Sequence, residues 1–350
     1  MKIKQISHLD LKTTKKLFGN TSNNEVVHLY ELTNKNGMRL QLTNFGATVT
    51  SLNIPLKNNQ TVDVVLGFDT LESYMKSFQL DGAPYFGATV GRYAGRISNG
   101  VFNLNGTAVS LYKNNNNHSL HGGNHNFSQK VWEVVKITEG ENSSITLNYV
   151  SPDGDEHYPG ELSVSLTYTL SEKNELIIAY KATTTADTIV NLTHHSYFNL
   201  DGHQASLTGQ ELIINSEKML ETTIESIPTG TILNTAGSVF DFTNPKQCPA
   251  LIDNTFVIEK TNEYAASLFS KNNKLKMTVY TNQPAVHIYV GGNCLNQIKG
   301  KANCDYHSLS GICFETQNFP DAPNHPHFPS AILRKNETYQ HKSIYKFQSF

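Results

Sequence analysis

Apolar residues along this chain recur mostly at every second position. Leu162, Val164, Leu166, Tyr168 and Leu170 alternate with mostly polar neighbours, the pattern of a strand with one buried and one wet face. Ile145, Leu147 and Tyr149 repeat it, as do Leu275, Met277 and Val279, then Val286, Ile288 and Val290. Clusters of Asn, Gly, Asp and Pro separate the runs, among them SPDGDEHYPG at 151–160 and KNNNNH at 113–118. These predict turns. A helical spacing stands out at 69–78, DTLESYMKSF. There Asp69 is placed to cap, with Glu72 three residues on, and Leu71, Tyr74, Met75 and Phe78 share one face. The pattern predicts an all-β fold, a large antiparallel β-sandwich of two packed sheets with a few short helices. No repeat at solenoid or propeller spacing and no obvious linker interrupts it, so residues 1–350 are expected to form a single domain.

Charge removes several function classes. The 28 basic and 30 acidic residues are mixed along the chain, for a net charge of −2. No basic stripe offers the counterion-releasing surface that nucleic acid requires, and no acidic block suggests a tail. The N-terminal MKIKQISHLDLKTTKK lacks an apolar stretch behind its basic residues, and no later segment is long and apolar enough to span a bilayer. With Met1 as the native start, a cytoplasmic protein without membrane contact is expected. Cys248, Cys294, Cys304 and Cys313 form no CxxC pair, so free thiols are expected.

Chemistry enters through what is missing and through a few polar segments. There is no Walker A loop, no GxGxxG after a strand and no GxSxG elbow, which removes the main support for phosphate, dinucleotide and serine-hydrolase readings. His118, His121 and His125 invite a metal reading, but no Cys or carboxylate lies at matching spacing, and scattered imidazoles on a polar loop are the plainer account. His325 and His327, between prolines, read as surface or rim residues. In NLTHHSYFNL (191–200), strand alternation sets His194 with Leu192, Ser196 and Phe198, and His195 with Thr193, Tyr197 and Asn199. His194 then reads as a core histidine. His195 is either a proton donor to a substrate oxygen or merely structural. Glu315, between GICF and a Pro-rich loop, either faces a cleft or is a solvated strand end. Arg92 and Arg96 in GRYAGRI either grip a ligand or serve as structural partners.

The order of the segments adds what none carries alone. DVVLGFDTLESY (63–74), YFGATVGRYAGRI (85–97), SLHGG (119–123), SPDGDEHYPGEL (151–162), NLTHHSYFNL (191–200), TNQP (281–284) and ETQNFPDAPNHPHFP (315–329) together resemble the aldose 1-epimerases, or galactose mutarotases, across roughly residues 25 to 348. The resemblance implies a β-supersandwich with an open cleft for one monosaccharide. It implies an enzyme that interconverts the α and β anomers of free hexoses such as galactose and glucose, without metal or other cofactor, as a monomer or weak homodimer. By the same resemblance Glu315 matches the catalytic base and His195 the catalytic acid. Arg96, His121, Asp253 and Gln283 match residues that contact the sugar. Three positions depart from the family pattern. Gly95 stands where many members carry Asn, His194 replaces an Asn before the catalytic His, and the stretch around Asp253 lacks the usual Gly-x-Asp-His. Two related readings are an epimerase of hexose 6-phosphates, which needs a basic pocket, and a sugar-binding protein without catalysis.

Overall fold

A computed structural model of the chain describes residues 13–259, 261, 263–291 and 297–350. The strands form where the alternation places them, at Ser143–Ser151, Leu162–Leu170, Leu275–Thr281 and Ala285–Val290. Leu162–Leu170 buries every second side chain. It lies inside a nine-stranded sheet between Ser143–Ser151 and Glu175–Thr184, and Tyr339–Ser349 follows. A six-stranded sheet runs in the order Tyr197–Phe198, Ile312–Gln317, Ala285–Val290, Ile252–Val257, Lys218–Thr222, Pro228–Asn234. All pairings between these strands are antiparallel.

The two-sheet expectation holds for these layers, and a five-stranded sheet, Thr14–Asn20 to Thr61–Asp63, adds a third. One hydrophobic cluster joins all three. Leu166 and Met277 come from the nine-stranded sheet, Ile288 and Phe314 from the six-stranded sheet, and Leu40 and Leu52 from the five-stranded one. The nine-stranded and six-stranded sheets are the packed faces of the sandwich.

The predicted helix is present as Leu71–Ser77, with a different cap. Thr70, not Asp69, is the N-cap, its hydroxyl accepting the Ser73 N–H at 3.2 Å. Asp69 is engaged elsewhere, accepting the Ala302 N–H at 2.7 Å. Leu71, Tyr74, Met75 and Phe78 do share the packed face, against Phe68 and Phe18. Among the described residues no helix is long and apolar enough to cross a membrane. The first twelve residues of the N-terminal segment, and Cys294, lie outside the described residues. Cys248, Cys304 and Cys313 are free thiols.

Candidate active site

Period-two geometry on three neighbouring strands builds the floor of a cleft. Glu315 is the cross-strand partner of His287, and His287 of Thr255. Cys313 likewise pairs with Tyr289, and Tyr289 with Asp253. Side chains two apart share a face, so Glu315, Gln317, His287, Tyr289, Asp253 and Thr255 all line one cavity of about 370 Å³, within the usual size of a small-molecule site. The alternate residues Phe314, Val286, Ile288 and Phe256 point the other way into the core. Glu315 is therefore no solvated strand end. It is buried, at 2% exposure.

His195 reaches the same floor from a break between two short strands. Thr193–His194 pairs with Thr89–Val90, whereas Tyr197–Phe198 pairs with Ile312–Cys313. At the break the His195 N–H donates to the Ala88 carbonyl and its carbonyl accepts the Gly87 N–H. Gly87 has φ +66°, and a Cβ there would lie 2.0 Å from the Val49 carbonyl oxygen, so only glycine permits this approach. His195 Nε2 is 3.4 Å from Glu315 Oε1, and Nδ1 is 3.6 Å from Cys313 Sγ. Burial lowers the His195 pKa, and the Glu315 charge opposes that shift. His194 faces the core beside the Tyr168 and Tyr345 rings, with Nε2 2.7 Å from Ser196 Oγ. Burial brings its pKa down to about 3, so at neutral pH it carries no charge toward its neighbour.

His121 and Arg96 form the opposite wall. The ring of His121 lies edge-on to Tyr85 and to His195, at 4.9 and 5.6 Å between centroids. Its Nδ1 accepts the Gly95 N–H at 3.2 Å. Burial first, then the neighbouring His195 and Arg96 charges, hold it well below the ordinary histidine range. A neutral ring with Nδ1 accepting carries its proton on Nε2, so His121 presents a donor to the cleft. His121, His195 and Glu315 have potential ligand atoms within 4.8 Å of one another. The proton placed on His121 Nε2 suits a sugar oxygen better than a metal ion, which needs a free lone pair. Arg96 donates from Nε to Asn115 Oδ1 at 2.9 Å. The asparagine-rich turn thus rims the cleft through Asn114 and Asn115, while Asn116 and Asn117 are exposed.

Asp253 is the other carboxylate of the cleft. Its Oδ1 is 2.9 Å from His287 Nε2, and Ser226 donates to Oδ2 at 3.4 Å. Burial works against the ionised form, but the His287 hydrogen bond and the nearby charges outweigh it and bring Asp253 down to about 2. The same pairing raises His287 above its ordinary value despite burial.

Glu315, His195, Arg96, His121 and Asp253 therefore converge, but Gln283 does not. It is absent from the cleft lining, and its amide donates to Asn282 Oδ1 and the Gln340 carbonyl. The reason is topological. Gln283 follows strand Leu275–Thr281, which belongs to the nine-stranded sheet, before the chain enters the floor strand at Ala285. Gln317, His287, Tyr85 and Thr255 line the cleft instead. For His287 and Gln317 the signal was present in the alternation, since each lies at an even offset from a polar floor residue. Arg92 is structural. It is 2% exposed and donates to the carbonyls of Gly160 and Pro152 and to Ser151 Oγ, which pins the 151–160 turn. His118 Nδ1 accepts the Asn99 N–H and His125 is exposed, so the two do not join His121. His325 and His327 donate to the Pro228 and Gly230 carbonyls, on the outer strand of the six-stranded sheet.

A buried carboxylate facing an imidazole at the base of a polar cleft defines an acid–base site on an antiparallel β scaffold. Comparison with known proteins places it. Residues 28–346 match the family model described as aldose 1-epimerase. The chain is 37% identical over 321 residues to a galactose mutarotase of Bos taurus, covering 89% of this chain and 91% of that protein. It is 32% identical over 336 residues to an aldose 1-epimerase of Escherichia coli, covering 91% and 94%. A solved aldose epimerase homologue from C. elegans superposes with a TM-score of 0.84 at 31% identity, covering 91% of this chain and 98% of that one. A galactose 1-epimerase from Lactobacillus acidophilus gives 0.84 at 26%, covering 97% and 99%. The chain belongs to the aldose 1-epimerase family.

Proposed function

We propose that this protein interconverts the α and β anomers of free hexoses such as galactose and glucose. The observation that carries the reading is the 3.4 Å approach of His195 Nε2 to Glu315 Oε1 on the cleft floor. Ring opening of a hemiacetal removes a proton from the C1 hydroxyl and delivers one to the ring oxygen, and a carboxylate and an imidazole suit those roles near neutral pH. Glu315 takes the hydroxyl proton while protonated His195 gives its Nε2 proton to the ring oxygen. The C1–ring-oxygen bond breaks and C1 becomes an aldehyde. Rotation about C1–C2 presents the other carbonyl face, and reclosure returns both protons. Burial of His195 favours release of its proton. His121, Arg96 and Asp253 orient the ring and polarise its oxygens. The scheme draws on neither metal nor nucleotide.

Each proton transfer is worth roughly 10²- to 10⁴-fold. The test is polarimetry of freshly dissolved α-D-galactose, then α-D-glucose, with and without protein. Acceleration at catalytic protein concentration is expected, with kcat reduced by roughly 10²- to 10⁴-fold in Glu315→Gln and KM little changed. Near-normal turnover in that variant removes Glu315 from its role. Arg96 is the one Arg or Lys among the described residues lining the cleft, so the cavity offers little to a phosphate, and glucose 6-phosphate is expected to be a poor substrate.

The same reading includes a single domain over residues 1–350, supported by the core cluster that joins all three sheets. It also includes a monomer or weak homodimer and a cytoplasmic location. Sedimentation and cell fractionation check the last two.

A further inference from the structure

His287 has no role in the scheme above, yet it stands at the centre of the cleft floor. It is the cross-strand partner of both Glu315 and Thr255. Both ring nitrogens are engaged. Nε2 lies 2.9 Å from Asp253 Oδ1, and Nδ1 lies 2.9 Å from Thr255 Oγ1. Neither nitrogen is left to meet a ligand directly, so what His287 does to a bound sugar passes through Asp253 and Thr255, which both line the cavity.

We propose that His287 is a positioning residue whose two ring nitrogens set Asp253 as acceptor and Thr255 as donor for two hydroxyls of one bound sugar ring. The inference rests on the sugar-converting reading of the cleft and names a determinant of its affinity. Hydrogen-bond accounting carries it. Asp253 spends Oδ1 on His287, while among the described residues Oδ2 has only the long 3.4 Å contact from Ser226, so Oδ2 keeps acceptor capacity for a hydroxyl. The Thr255 hydroxyl has one proton. When His287 is neutral, Nε2–H satisfies Asp253 and Nδ1 is a bare lone pair, so Thr255 turns its proton toward the ring. When His287 is protonated, Nδ1–H donates to Thr255, and the hydroxyl proton is released to point into the cleft. The proton on His287 therefore decides whether Thr255 is available to the sugar.

The surroundings favour the protonated state. Asp253 faces the ring from the strand Ile252–Val257, and Glu315 from Ile312–Gln317 on the other side. Arg96 stands against them from the opposite wall together with His121, while His195 lies beside Glu315 on the floor; both of these histidines are lowered from the ordinary range. Burial opposes the charge, but the Asp253 hydrogen bond and the two carboxylates prevail and raise the His287 pKa above 6.5. The group is thus protonated at and below that value, and deprotonates as pH rises through its folded pKa. Affinity for sugar should fall over that same rise.

The experiment pairs kinetics with a titration that needs no activity. Histidine-selective NMR of the ligand-free protein is recorded against pH, with His287→Gln identifying the His287 signal and Asp253→Asn testing the pair. KM and kcat for galactose are then measured across the same pH range in wild type, His287→Gln and Thr255→Val. The expected results are a His287 signal titrating above the ordinary value and moving down in Asp253→Asn. Wild-type KM should rise several-fold through that titration. In both floor variants KM should be raised about five- to twentyfold at low pH and lose the pH-dependent step, with kcat changed less than KM. A His287 signal unmoved by Asp253→Asn, or a pH-dependent KM step intact in Thr255→Val, overturns the inference. If wild type accelerates neither galactose nor glucose, the enzymatic reading fails by itself, and the NMR titration still decides the Asp253–His287 pair.

Discussion

Gly95 holds φ at +77°, and a Cβ there would lie 2.8 Å from Pro320 Cβ. A side chain at this position is therefore excluded by packing, and what Gly95 supplies is its N–H to His121 Nδ1. Gly95→Ala is expected to destabilise the protein by about 1–3 kcal/mol and to lower kcat/KM by moving His121, read by urea unfolding and polarimetry. Gln317 gives the complementary case. Its Oε1 is buried in the cleft without a hydrogen-bond partner among the described residues, a cost that a sugar hydroxyl would relieve. Gln317→Leu should raise KM about five- to tenfold while leaving the unfolding midpoint unchanged or higher. A fall in stability with KM unaltered would make Gln317 structural.

The elements owe their placement to contacts that the alternation does not contain. The strand Ile312–Gln317 is buried at every position, so burial alone does not say which of its faces is core. Its polar face is the cleft side because its neighbours Ala285–Val290 and Ile252–Val257 present polar residues in register. The 151–160 turn depends in the same way on a distant side chain, the buried Arg92 guanidinium beneath its carbonyls. Arg92→Leu leaves those carbonyls without their donor, and a loss of about 2–4 kcal/mol is expected. Amide hydrogen exchange should accelerate around residues 151–160 before it does in Leu162–Leu170. At the helix, Thr70→Ala should cost about 1 kcal/mol, whereas Asp69→Ala should leave the helix cap intact.

The whole molecule carries an acid liability in its core. His194 and His341 are buried, and burial brings both from 6.5 to about 3. His341 Nε2 sits between Thr316 Oγ1 and Ser343 Oγ at 3.1 and 2.8 Å, inside the sandwich. The unfolded chain takes up protons at these histidines before the folded one does. Stability is therefore held above pH 6.5 and declines from 6.5 toward 3, each histidine steepening the loss by about 1.4 kcal/mol per pH unit. His287, raised instead, works with the opposite sign: its contribution is present below 6.5 and disappears as pH rises through its folded value. Urea midpoints measured from pH 7 to pH 4 should fall, and His194→Gln or His341→Gln should flatten the slope even where it lowers the midpoint at pH 7.

Much of this was legible in the chain itself. Period two specified the strands and their core faces, because a side chain two positions on returns to the same side of a sheet. Turn residues marked their ends. Motif order pointed to the family and to Glu315, His195, Arg96, His121 and Asp253, which converge in the cleft. Strand neighbours remained undetermined, since pairing joins segments far apart in sequence. That is why Gln283, two residues before a floor strand, sits with the other sheet, and why His287 gained Asp253 and Thr255 as partners only on folding. Local alternation fixes which way a side chain points; only the register between strands decides what it meets there.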